Sequence, residues 1–152
     1  MAFLPCFTLN SRILILGSFP SVMSRAQNFY YGNPRNRFWF TLAKIFGEDT
    51  PSSIEDKKSF LSRHGIALWD VVKSCRTDSS LDKDITDYVV QDIPSLVDKL
   101  KIRLIVLNGS TASRLFKRHF PQYRNTVTLP STSPANTRFD FGAWSEAFAP
   151  FL

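Results

Sequence analysis

Cysteine is nearly absent from this chain: Cys6 and Cys75 are the only two in 152 residues. Two thiols cannot supply a four-thiolate iron–sulfur cluster or a zinc site built from four cysteines. Without C-x-x-C spacing they fit a reducing compartment better than a disulfide scaffold. Histidine is as scarce, with His64 and His119 alone. Each stands near an expected helix C-terminus, where imidazole more often answers the helix dipole than a substrate. No His/Cys/Asp/Glu cluster has metal-ligand spacing, so a site with no metal and no cofactor is expected. No apolar run approaches the roughly 18 residues of a membrane-spanning helix. The opening Met1-Ala2-Phe3-Leu4-Pro5 has neither the basic stretch nor the apolar segment of a cleavable leader, and a cytoplasmic protein is expected. Phosphate-binding glycine motifs are missing too. No G-x-G-x-x-G follows the first apolar run and no G-x-x-x-x-G-K-[ST] occurs, so dinucleotide and P-loop folds lose their fingerprints.

What is present is globular. At 43% hydrophobic and 21% charged residues, the chain can build one full core, and a single domain over residues 1–152, as a monomer, is the expectation. Lys and Arg outnumber Asp and Glu by 19 to 13, a net charge of +6. That surplus on a small domain points to an anionic partner, of which nucleic acid is the commonest.

The apolar pattern alternates strand and helix. Arg12–Leu16, Ile66–Val72 and Leu104–Leu107 are continuous apolar runs that read as buried strands, and Thr126–Leu129 as a weaker fourth. A loop follows the first run up to about Arg35. Phe38, Leu42, Ile45 and Phe46 then fall at helical spacing and Gly47 ends the helix. Ser53 with Asp56 resembles a capping box, opening a helix that ends near His64-Gly65. Asp92, Pro94, Leu96, Val97 and Leu100 describe another helix, with Pro in its first turn. Ser110 or Thr111 is expected to cap a helix toward Phe120, and a last helix covers about Phe141 to Phe148. Apolar strands with helices between them predict an α/β fold with a parallel sheet covered on both faces. In such a sheet ligands bind beyond the carboxyl ends of the strands. That rule selects Gly17-Ser18-Phe19-Pro20-Ser21, Asp70, Asn108-Gly109-Ser110 and Leu129-Pro130-Ser131-Thr132-Ser133-Pro134.

The loop Asn28-Phe29-Tyr30-Tyr31-Gly32-Asn33-Pro34-Arg35-Asn36-Arg37-Phe38-Trp39 is dense in aromatics, Asn and Arg. Aromatic faces stack bases, Arg neutralises phosphate, and Asn amides bond a base edge or hold a water. Phe38 and Trp39 continue the helical spacing into Leu42 and read as core anchors; Asn33, Arg35 and Asn36 read as functional.

Together, Gly17-Ser18-Phe19-Pro20-Ser21, the segment Tyr30–Trp39, Gly65-Ile66-Ala67-Leu68-Trp69-Asp70-Val71 and Leu129–Asn136 resemble the uracil-DNA glycosylase superfamily. Within it the combination is most similar to the hypoxanthine-DNA (deoxyinosine) glycosylases, with the mismatch-specific uracil glycosylases as neighbours. Four motifs in order span about residues 12 to 148. The resemblance implies a three-layer αβα sandwich around a four-stranded parallel sheet. It also implies a monofunctional enzyme that flips a deaminated base, hypoxanthine or uracil, out of DNA and hydrolyses its N-glycosidic bond. Uracil glycosylases commonly carry Asp or Asn where this chain has Phe19, and many carry His where it has Leu129. The mismatch-specific branch has His at the position of Asn33. The hypoxanthine family shares the change at Phe19 and uses the Asn that corresponds to Asn36, which the resemblance makes the catalytic residue.

For the base, Phe19 offers a stacking face, and the backbone N–H groups of Ser18 and Phe19 offer donors to its carbonyl. Asp70 either bonds a purine ring N–H or caps a loop, and Asn108 either reaches the base or forms a turn. Ser131, Ser133 and Asn136 fall where the resemblance places a loop that grips the phosphates flanking the flipped nucleotide, joined by Ser21, Arg35 and Arg37. Lys117 and Arg118 extend the candidate basic footprint. No Lys lies in the four motifs, so no Schiff-base step is expected. The alternatives are a mismatch-specific uracil or thymine glycosylase, and a DNA-binding module that has lost its chemistry.

Overall fold

The computed structural model describes residues 2–76 and 86–152. In chain order the elements are β1 (Ile13–Gly17), α1 (Val22–Gln27), α2 (Phe38–Phe46), α3 (Ile54–His64), β2 (Ile66–Asp70), β3 (Val72–Arg76), β4 (Thr86–Val90), α4 (Ile93–Lys99), β5 (Leu104–Asn108), α5 (Ser110–His119), β6 (Thr126–Leu129) and α6 (Phe141–Phe148), closed by a short 3-10 turn at Ala149–Phe151. Strands β2, β1, β5 and β6 lie side by side in that order, and every pairing is parallel. Strands β3 and β4 form a separate antiparallel pair.

Alternation along β1 builds both cores. Ile13 and Ile15 face a cluster with Phe38 and Leu42 of α2, Phe60 and Leu61 of α3, and Trp144 and Phe148 of α6. Leu14 and Leu16 face the other side, against Ile93 and Leu96 of α4 and Leu115 and Phe116 of α5. A strand buried on both faces must be apolar at every position, which is why ILIL stands where it does. The three-layer αβα sandwich expected from the sequence is therefore the fold observed. Helix stops follow the expected chemistry: Gly47 and Gly65 close α2 and α3 with positive φ. The Ser53 hydroxyl accepts the Asp56 N–H at 2.9 Å, so the expected cap of α3 forms.

Three expectations are corrected. The run Ile66–Val72 is not one strand: β2 ends at Asp70, and Val71 turns the chain so that Val72 opens β3. The first long loop contains α1, which Ser21 caps by accepting the Ser24 N–H at 3.1 Å. Neither Ser110 nor Thr111 caps α5. The cap residue is Gly109 at φ 102°, without a side-chain bond. There Gly is required twice, by the positive φ and because a Cβ would lie 3.0 Å from the Ser131 Cβ. The edge of β2 is covered by Cys6, which exchanges two backbone bonds of 2.9 Å with Leu68. Among the described residues, no helix is long and apolar enough to cross a membrane.

Candidate active site

Parallel register lines up the four strand ends. Gly17 stands opposite Asp70, and Asn108 opposite Leu129. Above them lies a cleft of about 660 Å³. Its walls include Ser18, Phe19 and Ser21 after β1, Tyr31 and Asn36 before α2, Asp70, Asn108, and the loop after β6 with Ser131, Ser133 and Asn136. Nine residues given an individual role from the sequence are thus brought together: Ser18, Phe19, Ser21, Asn36, Asp70, Asn108, Ser131, Ser133 and Asn136.

Gly17 is the floor. A Cβ there would meet Asp70 Oδ1 at 2.6 Å and the Tyr31 hydroxyl at 3.3 Å. The missing side chain is what lets a carboxylate and a phenol border the same small space. Asp70 itself is buried, only 4% exposed. Tyr31 holds a positive φ of 52°, which is costly for a bulky residue, and its ring stacks on Phe38 with centroids 3.9 Å apart. Tyr30 beside it donates its hydroxyl to the Leu4 carbonyl at 2.8 Å. Burial, with the charge of Asp70 adding to it, pushes the Tyr30 phenol far above its ordinary range, so it stays protonated. Over the Phe19 ring sits the guanidinium of Arg25, 5.3 Å from the centroid.

The rest of the cleft is held by amides. The Asn108 side-chain oxygen accepts the Thr132 N–H at 3.1 Å. Its nitrogen donates to the Thr132 hydroxyl at 3.1 Å and the Tyr31 hydroxyl at 3.3 Å. One buried amide thus bolts the loop after β6 to the aromatic segment before α2. Asn136 donates to the Ser131 carbonyl at 2.9 Å and accepts the Arg138 N–H at 3.0 Å. Ser131 and Ser133 accept backbone N–H groups of Ser133 and Ala135. The loop is therefore shaped by its own side chains before any ligand arrives. At its base the Trp144 indole donates to the Pro130 carbonyl at 2.8 Å.

Asn36 is half-buried on the wall, and its side-chain oxygen accepts the Phe38 N–H at 2.9 Å. Asn33 makes the equivalent bond to the Arg35 N–H at 2.9 Å but does not line the cleft. Neither Arg35 nor Arg37 lines it. Arg35 is exposed. Arg37 donates Nη1 to the carbonyls of Ser133 and Asn136 at 3.0 and 3.1 Å, and its backbone N–H to the Thr132 carbonyl at 3.0 Å. Lys117 and Arg118 are in the last turn of α5, whose first residue Ser110 is at the cleft, so they lie at the far end of that helix. The histidines stand outside as well. His64 stacks on Phe46 and bonds Glu48, and His119 bonds the Tyr88 hydroxyl at 2.9 Å.

Sequence reasoning missed Ser24 and Arg138 as wall residues and gave no individual role to Tyr31 or Thr132. Tyr31 lay in the aromatic segment already marked; Thr132 and Arg138 lay in or just beyond the last motif.

Comparison with known proteins places this geometry. A sequence model of the Uracil DNA glycosylase superfamily matches residues 5–149. A Methanosarcina acetivorans protein named hypoxanthine DNA glycosylase is 38% identical over 93% of this chain and 91% of its own length. A Methanosarcina barkeri protein of the same name is 34% identical over 96% of both chains. A solution NMR structure from Methanosarcina acetivorans, of a protein described as a candidate uracil DNA glycosylase, superposes with a TM-score of 0.84. It shares 37% identity over 99% of this chain and 94% of that one. The family match and the full-length relatives cover every strand end that forms the cleft, and the chain belongs to the uracil DNA glycosylase superfamily.

Proposed function

We propose that this protein is a monofunctional hypoxanthine DNA glycosylase, with uracil as a second substrate. The carrying observation is that Asp70 and Asn36 share one cleft floored by Gly17, roomy enough for a flipped nucleotide. Relatives named hypoxanthine DNA glycosylase, alike over nearly the full chain, support the same reading.

The target nucleotide leaves the stack and enters the cleft, where Phe19 takes its ring face. Hypoxanthine and uracil carry a ring N–H beside a carbonyl, whereas adenine and cytosine carry an unprotonated ring nitrogen beside an amino group. The Asp70 carboxylate accepts the ring N–H of a deaminated base while N–H donors hold the adjacent carbonyl. The parent base reverses that order, setting an unprotonated ring nitrogen against the carboxylate and an amino group against the N–H donors. That contact supplies discrimination, since a buried acceptor left without its donor costs about 1–3 kcal/mol. Backbone N–H groups of Ser18 and Phe19 hold the base carbonyl as negative charge builds on the leaving base. Asn108 acts by fixing the loop and Tyr31 around that base.

Bond cleavage develops an oxocarbenium-like sugar. The bond from C1′ to the base nitrogen breaks with its electron pair going to the base, and a water oxygen bonds C1′ and releases a proton to solvent, from which the base anion is protonated. Water need not be strongly activated when the electrophile is already cationic; it must be aligned. The Asn36 oxygen keeps one lone pair after accepting the Phe38 N–H, and that lone pair orients the water. Ser21, Ser131, Ser133, Asn136 and Arg138 face the flanking phosphates, with Arg35 and Arg37 at their margin. No lysine is among the described residues lining the cleft, consistent with hydrolysis rather than an amine-mediated strand break.

The test is single-turnover cleavage of duplexes carrying hypoxanthine, uracil, xanthine or no lesion, in chelator. Hypoxanthine should be released first, uracil more slowly, and undamaged DNA not at all. Release of thymine or uracil only from mispairs with guanine would replace this reading with the mismatch-specific one.

A further inference from the structure

Part of the positive charge lies away from the cleft. Among the described residues lining the cleft, Arg138 is the one basic side chain and Asp70 the one carboxylate. The lining is thus nearly neutral in a chain of net charge +6. All four parallel strands deliver their carboxyl ends to the cleft, so residues preceding a strand lie at the opposite edge of the sheet. At about 3.3 Å per residue, a strand of that length separates the two edges by roughly 17 Å.

Among the described residues, that back edge carries arginines with no acidic partner. Arg12 directly precedes β1 and Arg103 directly precedes β5, and these strands are neighbours with Ile13 opposite Leu104. The Arg103 N–H donates to the Arg12 carbonyl at 2.6 Å. Both guanidinium groups lie over one ring, Phe151, at 5.7 and 5.9 Å from its centroid. Arg124 leads into β6, on the other side of β5. All three are exposed, and among the described residues the ion pairs belong to Glu48, not to them. Lys99, Lys117 and Arg118 also reach this edge, but they occupy the last turns of α4 and α5, where the helix dipole accounts for a cation. Arg12 also donates Nη2 to the Phe151 carbonyl at the end of the last turn at 3.4 Å. No helix end accounts for Arg103 and Arg124, however, and the three like charges stand at the starts of adjacent strands about 5 Å apart.

We infer that this back edge is a second DNA-binding site. Arg12, Arg103 and Arg124 hold the phosphate backbone of a second duplex segment while the cleft holds the first. Guanidinium forks match phosphate oxygens, and a row of them across three strands fits a row of phosphates better than one small anion. The thickness of the sheet puts the row beyond reach of a straight duplex lying in the cleft. The enzyme would then bridge two segments and pass between them without fully releasing DNA. This inference rests on reading the cleft as a DNA site.

A bridging experiment with the full chain separates the two. A hypoxanthine-containing duplex is immobilised, protein is bound to it, and capture of a labelled lesion-free duplex is measured per retained protein. Wild type should capture it, with affinity falling roughly 40-fold between about 50 and 200 mM salt, as three phosphate contacts imply. The triple variant Arg12→Gln/Arg103→Gln/Arg124→Gln should stay on the immobilised duplex, cleave it at saturation within about twofold of wild type, and capture no second duplex. The corresponding triple Lys variant should keep most of the capture. Arg138→Gln should weaken retention but leave capture per retained protein unchanged. Protein that never stays on the immobilised duplex would sink the reading of the cleft. Retention without capture, or undiminished capture by the Gln variant, would overturn the second site. So would displacement of the labelled duplex by polyglutamate or duplex RNA at lower concentration than by duplex DNA.

Discussion

The side-chain oxygen of Asn36 accepts the backbone N–H of Phe38 at 2.9 Å, so the residue that faces the cleft also closes an Asx turn leading into α2, whose cap residue is Arg37. A backbone N–H can only donate, which fixes which end of the amide is oxygen. The two roles separate by substitution. Asn36→Ala should lower single-turnover cleavage roughly 10²-fold and cost about 0.5–1.5 kcal/mol of stability for the lost turn hydrogen bond. Asn36→Asp keeps an oxygen for both bonds and suits a helix N-terminus. It should retain wild-type stability and cleave within about tenfold of wild type. Asn33→Ala is the control, because Asn33 makes the same kind of turn outside the cleft. A crippled Asn33→Ala beside a normal Asn36→Ala would move the catalytic role to the other asparagine.

Arg37 joins the segment carrying Asn36 to the loop after β6 through three bonds to Thr132, Ser133 and Asn136. The two from its guanidinium converge on carbonyls, which one Lys ammonium can replace only in part. Arg37→Ala should lower stability by about 1–3 kcal/mol and reduce the cleavage rate more at low DNA concentration than at saturation, with Arg37→Lys between. Equal loss at every DNA concentration would mean that Arg37 acts on the chemical step instead. Thermal melts and a concentration series of single turnovers check both parts.

The fold was legible because its signals are local. Each apolar run had to be buried on both faces, and Gly47, Gly65 and the Ser53 cap mark helix ends within three or four residues. Helix α1 was missed because Val22–Gln27 is too short for a helical period, and its caps, Ser21 and Asn28, resemble ordinary loop residues. The break at Val71 was missed because Ile66–Val72 stays apolar straight through the turn. In the cleft, residue types and strand ends picked out nine wall residues. What they could not give was partnership. Asn108 reads as a turn beside Gly109, yet its amide is engaged with Thr132, 24 positions away. Arg37 reads as a phosphate ligand, yet its guanidinium bonds carbonyls nearly 100 positions downstream. Local pattern carries no information about such pairs.

Acid should weaken one surface cluster. The hydrogen bond from Arg63, helped by His64, holds the Glu48 carboxyl below its ordinary range. A group depressed in the folded state stabilises above its unfolded pKa and loses that contribution as pH falls through the folded value. Wild type should therefore melt slightly above Glu48→Gln at pH 7, and the difference should vanish well below about pH 4. Arg63 is exposed and Glu48 and His64 are only half-buried, so the gap should be small and should shrink in high salt. A gap that persists at pH 2 would show that Glu48 acts through packing rather than charge.

Gly17 offers the sharpest test of how the base is read. Its φ is ordinary, so Gly17→Ala introduces no backbone strain, only a methyl group. That methyl would lie 2.6 Å from Asp70 Oδ1 and 3.3 Å from the Tyr31 hydroxyl, and the carboxylate must move. Overpacking of this kind costs about 1–3 kcal/mol, which the fold can survive. Cleavage of hypoxanthine should fall at least tenfold, while binding of an abasic product duplex, which presents no base, should change little. The alternative is that the methyl merely crowds the whole cleft. Asp70→Asn separates the two, since it removes the carboxylate without adding volume. If Gly17→Ala acts by displacing Asp70, adding it to Asp70→Asn should cost much less than it costs alone, because one contact cannot be lost twice. Full additivity of the two substitutions would mean that Gly17 and Asp70 act on different steps, and that the carboxylate does not read the base from where Gly17 lets it stand.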